Sequence, residues 1–258
     1  METHQTVIVV AVGFVVSILS VSVGGTGLIM VPLMIALGLD PRVAVATNKF
    51  AILFLSITGS ATFLRCVRLP GRRVVAAHVV PVVAGSAAGA AVVASTPHIA
   101  LKLIIGITTI VVASILFLKR DAGIEQRSRP IRSSAAAVSL AAALPLSVYG
   151  GFFTGGYATL LTYLFVFVLG LSFLQAVAAS RFLSIFSAAA ASLVLGTHGL
   201  IDFSLGVPLA AAFAIGGRLG ARIAVKKGSR WLNIVFTIAA MVLALRLLAV
   251  EIYPLISK

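Results

Sequence analysis

Two cations lie where cations are costly. Lys49 and Arg181 each lie seven or eight residues inside an apolar block, about 10–12 Å from its end at about 1.5 Å per helical residue. A cation at that depth in a membrane costs about 2.5 kcal/mol or more unless it faces the protein interior or water. The six acidic residues, Glu2, Asp40, Asp121, Glu125, Asp202 and Glu251, all lie in loops or near block ends. Neither cation therefore has a carboxylate nearby in sequence. An uncompensated buried cation invites an anionic ligand. The competing account is snorkelling to the interface, which suits one such residue better than two.

Gly-rich breaks supply a second kind of anion chemistry. Gly24-Gly25-Thr26-Gly27 precedes a short apolar block, and Thr154-Gly155-Gly156-Tyr157 opens another. A Gly-rich turn at a helix N-terminus exposes free N–H groups and the positive end of the helix dipole. Such a turn is an anion site. The competing account is close helix packing through small residues. Hydroxyl and amide groups stand beside both features: Thr47 and Asn48 next to Lys49, Ser180 next to Arg181, and Thr26, Thr154, Tyr157 and Thr159 at the breaks. Each suits an oxyanion or a local carbonyl equally well. The candidate substrate-binding set is Gly24, Gly25, Thr26, Gly27, Asn48, Lys49, Thr154, Gly155, Gly156, Tyr157, Ser180 and Arg181.

These residues need elements to hold them. The chain is 60% hydrophobic and 10% charged, with a mean hydropathy of +1.17. A soluble domain is nearer a quarter charged, so the solvent for most of this chain is lipid. The apolar blocks are Thr6–Ser22, Leu28–Leu39, Arg42–Leu64, Val74–Thr96 and Ile99–Leu118, then Ser134–Phe153, Ala158–Leu171, Phe173–Thr197, Ser204–Val225 and Trp231–Val250. Twelve helical residues, as in Leu28–Leu39, reach only about 18 Å against a core of about 30 Å. The short blocks read as half-helices. Non-helical backbone at membrane depth is tolerated only inside protein or beside a water-filled cavity.

The scheme repeats at a constant offset of 132 residues. Leu37-Gly38-Leu39 matches Leu169-Gly170-Leu171, and Ala44-Val45-Ala46 matches Ala176-Val177-Ala178. Phe50 and Phe54 match Phe182 and Phe186; Gly24, Ser60 and Gly85 match Gly156, Ser192 and Gly217; Lys49 matches Arg181. The expected organisation is a membrane repeat at 1–118, a basic cytoplasmic linker at 119–133 and a second repeat at 134–258. Loop charges give the topology. Arg65, Arg68, Arg72 and Arg73 place one loop in the cytoplasm, the linker cations and Lys226, Lys227 and Arg230 place two more there, and the 197–205 loop has no Lys or Arg. The basic 65–73 loop and the neutral 197–205 loop are repeat equivalents on opposite faces. The fold class expected is an all-α polytopic membrane protein of two inverted repeats, each a broken or short helix pair plus three full spans. Interrupted segments at matching places in inverted halves point to a transporter's binding site.

Other functions fit poorly. The net charge of +14 sits mainly in loops, where topology explains it, and no nucleic-acid motif accompanies it. Cys66 is the one cysteine, so no internal disulfide or multi-Cys metal site is expected. The first block lacks a basic start and a small-residue cleavage site, so it reads as structure rather than as a signal peptide. No metal cluster, nucleophile–base pair or phosphate loop suggests an enzyme, and no cofactor or metal is expected. Gly85-x-x-x-Gly89 and Gly216-x-x-x-Gly220 read as packing seams. His78 and His198 read as satisfied or interfacial histidines, and Pro32, Pro81, Pro145 and Pro208 as kinks.

The run Val23–Pro32, continued by Leu37-Gly38-Leu39 and Ala44–Lys49, resembles the first signature of the TauE/SafE sulfite exporter family. The stretch from Gly150-Gly151-Phe152-Phe153-Thr154-Gly155-Gly156 through Ala176–Arg181 resembles its second. The similarity covers nearly the whole chain. It implies a duplicated multi-helix permease in the cell (inner) membrane, moving sulfite, sulfonates or related organosulfur anions outward or inward. The first Gly run carries Thr26 within it and the second ends in Tyr157-Ala158, both departures from the Gly-richer family pattern. The mechanism expected is an anion docked near midplane between two half-helix N-termini, with the halves rocking around it. An anion channel and an uptake permease of the same fold are the alternatives. The partners expected are a small anionic substrate and membrane lipid, no nucleic acid, and oligomerisation is left open.

Overall fold

The computed structural model describes residues 3–69, 71–118 and 131–227. These residues form ten α-helices and no strand: α1 (Thr3–Val23), α2 (Thr26–Ala36), α3 (Pro41–Cys66), α4 (Arg72–Ala77), α5 (Val79–Ser95), α6 (His98–Leu118), α7 (Ser133–Phe152), α8 (Tyr157–Phe167), α9 (Phe173–Thr197) and α10 (Phe203–Lys227). Most of the expected linker and the expected last span, Trp231–Val250, with Arg230 before it, lie outside the described residues. Six helical stretches, α1, α3, α4 with α5, α7, α9 and α10, are long and apolar enough to cross a membrane.

Burial is arranged for lipid. Lys49 and Arg181 are 1% and 3% exposed, whereas Val80 and Leu193 are 74% and 71% exposed. An aqueous protein would reverse that distribution. The polar interior is what a multi-pass membrane protein uses to keep charge away from hydrocarbon.

Local chemistry sets the helix starts. Pro41 begins α3 and needs no N–H partner there, while Asp40 caps it by accepting from the Arg42 N–H at 2.8 Å. Ser172 and Gln175 form a reciprocal capping box at the start of α9. Burial pushes the Asp40 carboxyl up, but bonds and charge from Arg42 outweigh this and hold it below its usual value. Four glycines with left-handed backbone fall at equivalent places in the two halves: Gly24 with Gly156, and Gly38 with Gly170.

The two halves are packed through one another. α1 lies on α10 and α7 on α5, while α3 and α9 meet at the centre and each also packs against a long helix of the other half. The expected glycine seams are these contacts. A Cβ on Gly85 or Gly89 would strike the α7 backbone at Leu144 and Val148, and one on Gly216 or Gly220 would meet α1 at Ser17 and Ile18. Gly206 faces Thr47 and Phe50, and Gly217 faces Leu55 and Thr58, so α3 and α10 run parallel.

Three expectations about boundaries change. Val74–Thr96 is not one unbroken helix: it divides at His78 into α4 and α5, because Pro81 has no N–H to continue the ladder. Thr26 and Gly27 already belong to the first turn of α2, so the first break is only Gly24-Gly25. The second half-helix starts at Tyr157 and stops at Phe167 rather than running on to Leu171.

Candidate functional site

The two breaks face each other. A Cβ on Gly24 would lie 2.6 Å from Ala158 Cβ and 2.9 Å from Thr159 N, and one on Gly27 would lie 2.8 Å from Gly155 N. The N-termini of α2 and α8 therefore converge, with backbone from each break seated in space that any larger residue would fill. Gly25 precedes α2 and Gly156 precedes α8, so each half-helix opens on a glycine without a side-chain cap. Those first-turn N–H groups have no carbonyl one turn earlier within their own helix.

Each buried cation reaches into the opposite half. Lys49, on α3, donates to the Gly150 carbonyl in the last turn of α7. Arg181, on α9, donates through Nε to the Val21 carbonyl and through Nη2 to the Ser20 carbonyl at 2.7 Å, in the last turn of α1. The compensation that sequence could not locate is thus backbone rather than carboxylate. A helix C-terminus carries about half a negative charge, so each cation is half neutralised. The hydrogen bonds described use one of the three Lys49 donors and two of the five Arg181 donors.

The remaining candidate residues divide into two groups. Three have found protein partners. The Thr26 hydroxyl is 2.7 Å from that of Ser20, Ser180 accepts from Thr162 at 3.0 Å, and the Tyr157 hydroxyl is 3.1 Å from Ser147. Thr47, flagged beside Lys49, accepts from the Asp202 N–H at 3.1 Å. By contrast, both side-chain polar atoms of Asn48 and the hydroxyls of Thr154 and Thr159 are buried without a partner among the described residues. An unpartnered buried polar group costs about 1–3 kcal/mol. Asn48 directly precedes buried Lys49, and Thr154 and Thr159 flank the second break, so the unpartnered groups fall on the same stretches of chain as the cation and the converging N-termini.

Residues that sequence did not single out complete the frame. Ser86 and Ser187 are 2.7 Å apart, and Ser86 donates to the Ser147 carbonyl at 3.3 Å. Tyr149 donates to the Gly155 carbonyl and fixes the second break. The available signal was a hydroxyl in the last turns before each break, as at Ser20 and Ser147. His78 stands apart and is satisfied: Nδ1 donates to the Val74 carbonyl at 2.7 Å, leaving Nε2 to accept from Ser139 at 2.8 Å.

Comparisons with known proteins point to one family of membrane transporters. The family described as Sulfite exporter TauE/SafE matches residues 9–247. A probable membrane transporter protein, ORF9, from Sinorhizobium sp is 27% identical across 98% of this chain and 95% of its own length. The probable membrane transporter protein YfcA of Escherichia coli K12 is 27% identical across 92% and 85%. A probable membrane transporter protein of Haemophilus influenzae is 27% identical across 86% of each chain. No solved structure matches the chain.

Proposed function

The chain belongs to the TauE/SafE sulfite exporter family, a family of membrane transporters, and from that premise we propose that it exports a small oxyanion, sulfite or an organosulfonate. The anion binds where the α2 and α8 N-termini converge and passes by alternating access. The observation that carries this reading is the pairing of Lys49 and Arg181 with helix C-termini instead of carboxylates. Two helix C-termini withdraw about half a charge each and two N-termini return as much. The site thus keeps about two positive charges, with buried, unpartnered Asn48, Thr154 and Thr159 beside them.

The cations also tie the halves together. An arriving oxyanion competes with Gly150, Val21 and Ser20 for their donors, which gives substrate a differential grip on the two states that rocking requires. The inverted arrangement is supported by helix direction. α4 and α5 follow α3 after a short connection and run back across the membrane, while their repeat equivalent, α10, runs parallel to α3. A monoanion leaving a negative interior gains about 2.3 kcal/mol per 100 mV, so export needs no coupled ion.

The test is sulfite flux in proteoliposomes under an imposed potential, comparing wild type with Lys49→Gln and Arg181→Gln. Glutamine keeps an N–H for the facing carbonyl and removes the charge. Two unit charges about 5 Å apart at an effective dielectric of 20 interact by about 3 kcal/mol, so each change weakens apparent sulfite affinity roughly a hundredfold. Saturable wild-type flux with unchanged half-saturation in both variants rejects the site. Ohmic, non-saturating current rejects the carrier in favour of a channel.

A further inference from the structure

On the side of α3 and α10 turned away from the core, an apolar groove of about 530 Å³ is lined by Thr58, Ala214, Ile215, Arg218, Leu219 and Arg222. We propose that it seats one anionic glycerophospholipid, with the phosphate on Arg218 and Arg222 and an acyl chain along Ala214, Ile215 and Leu219. The site lies apart from the converging half-helices and does not rest on the transport reading.

Depth makes the two arginines unusual. Arg222 and Arg218 are five and nine residues before Lys227, the last residue of α10, about 7 and 13 Å along the helix. Arg218 thus starts well inside the hydrocarbon, yet it and Arg222 are exposed rather than packed inside. Their neighbours on this face are lipid-facing: Ile215 is 57% and Ile57 43% exposed. A guanidinium there needs either water or an anion that itself resides in the membrane. Being one turn apart, the two side chains extend over the same strip of surface.

No described carboxylate can serve. Asp202 immediately precedes α10, sixteen residues before Arg218, about 24 Å away along the helix. Its Oδ1 already accepts from the Ser204 N–H and hydroxyl and from the Leu205 N–H. Asp40 caps the start of α3, which runs parallel to α10, and so lies at the same far end. The Thr58 hydroxyl donates back to the Phe54 and Leu55 carbonyls of its own helix; being uncharged, it cannot neutralise a guanidinium. What the groove presents is two guanidinium forks, without a bond among the described residues, above an apolar trough. A phosphodiester with an acyl chain matches both parts, and the guanidinium fork suits phosphate better than any neutral headgroup. The exposed Lys226 at the same helix end adds to the attraction for an anionic leaflet.

The experiment uses the full chain in nanodiscs of mixed phosphatidylglycerol and phosphatidylcholine, with lipid retained after transfer to detergent counted by native mass spectrometry. A basic residue near the surface is worth about fivefold in anionic-lipid affinity. Wild type is expected to retain one phosphatidylglycerol with about thirtyfold preference over phosphatidylcholine, and Arg218→Gln/Arg222→Gln to lose that preference. Leu219→Trp fills the trough while keeping both charges, and is expected to reduce retention as well. It decides the matter if the double variant does not fold. Equal phosphatidylglycerol retention by wild type and Leu219→Trp, or by wild type and a folded double variant, overturns the proposal. So does a rise in retention on Asp121→Asn/Glu125→Gln, which would make chain carboxylates the true occupant.

Discussion

Gly24→Ala tests whether the meeting of the two breaks is real, and its cost can be worked from two separate contributions. Gly24 has φ +77°, and a side chain in left-handed backbone costs about 1–2 kcal/mol. The new methyl would also stand 2.6 Å from Ala158 Cβ and 2.9 Å from Thr159 N. Neither neighbour is the tip of a flexible side chain, so one break must move away from the other, at about 1–3 kcal/mol for overpacking. The total is about 2–5 kcal/mol. Gly38 isolates the first contribution: its φ is +93°, and nothing lies within 4 Å of its added Cβ. Gly38→Ala should therefore cost only about 1–2 kcal/mol. Gly106, with no positive φ and open space around it, should tolerate alanine or gain about 0.5–1 kcal/mol from it. Thermal unfolding of the three variants in detergent orders them, at about 2–4 °C per kcal/mol for a chain of this size. Flux measured alongside should fall most for Gly24→Ala. If Gly24→Ala and Gly38→Ala unfold together, the breaks do not touch as described, and the convergent N-termini lose their support.

Asn48→Leu removes two unpartnered buried polar atoms; stability should rise by about 1–3 kcal/mol while sulfite flux falls, read by unfolding and transport on the same preparation. Gly89→Ala would place a Cβ 2.0 Å from the Val148 carbonyl, forcing α5 off α7 at about 1–3 kcal/mol, whereas Gly196→Ala, with its nearest contact at 3.5 Å, should be neutral. Ser139→Ala leaves Nε2 of buried His78 without its partner and should cost about 1–3 kcal/mol with no loss of flux. At Asp202, burial pushes the carboxyl up, but the Ser204 hydroxyl and the Leu205 and Ser204 N–H groups together hold it below its usual value. A lowered folded pKa gives stability that is present above the unfolded value near 3.8 and lost as pH falls through the folded one. Asp202→Ala should therefore cost about 1 kcal/mol of capping at pH 7, and the gap from wild type should close below about pH 4.

The sequence by itself determined the solvent, the elements and the candidate residues. Hydrophobic blocks of spanning length announce lipid because nothing else solvates so much apolar surface. Glycines such as Gly24 and Gly156 mark backbone that no other residue adopts cheaply, and both are left-handed. Lys49 and Arg181 were conspicuous because charge at that depth must be answered. What answered them was not legible. A carbonyl at a helix terminus has no residue type of its own, so the bonds to Gly150, Val21 and Ser20 leave no mark in the sequence. The same holds for the division of the hydroxyls: Thr26, Ser180 and Tyr157 found protein partners while Asn48, Thr154 and Thr159 did not. Residue type does not predict that division, since threonine falls on both sides of it. Only the tertiary packing, which sets Gly27 against Gly155, decides which polar atoms are left without a partner, because a hydrogen bond depends on position in space and the chain order fixes only what is available to make one.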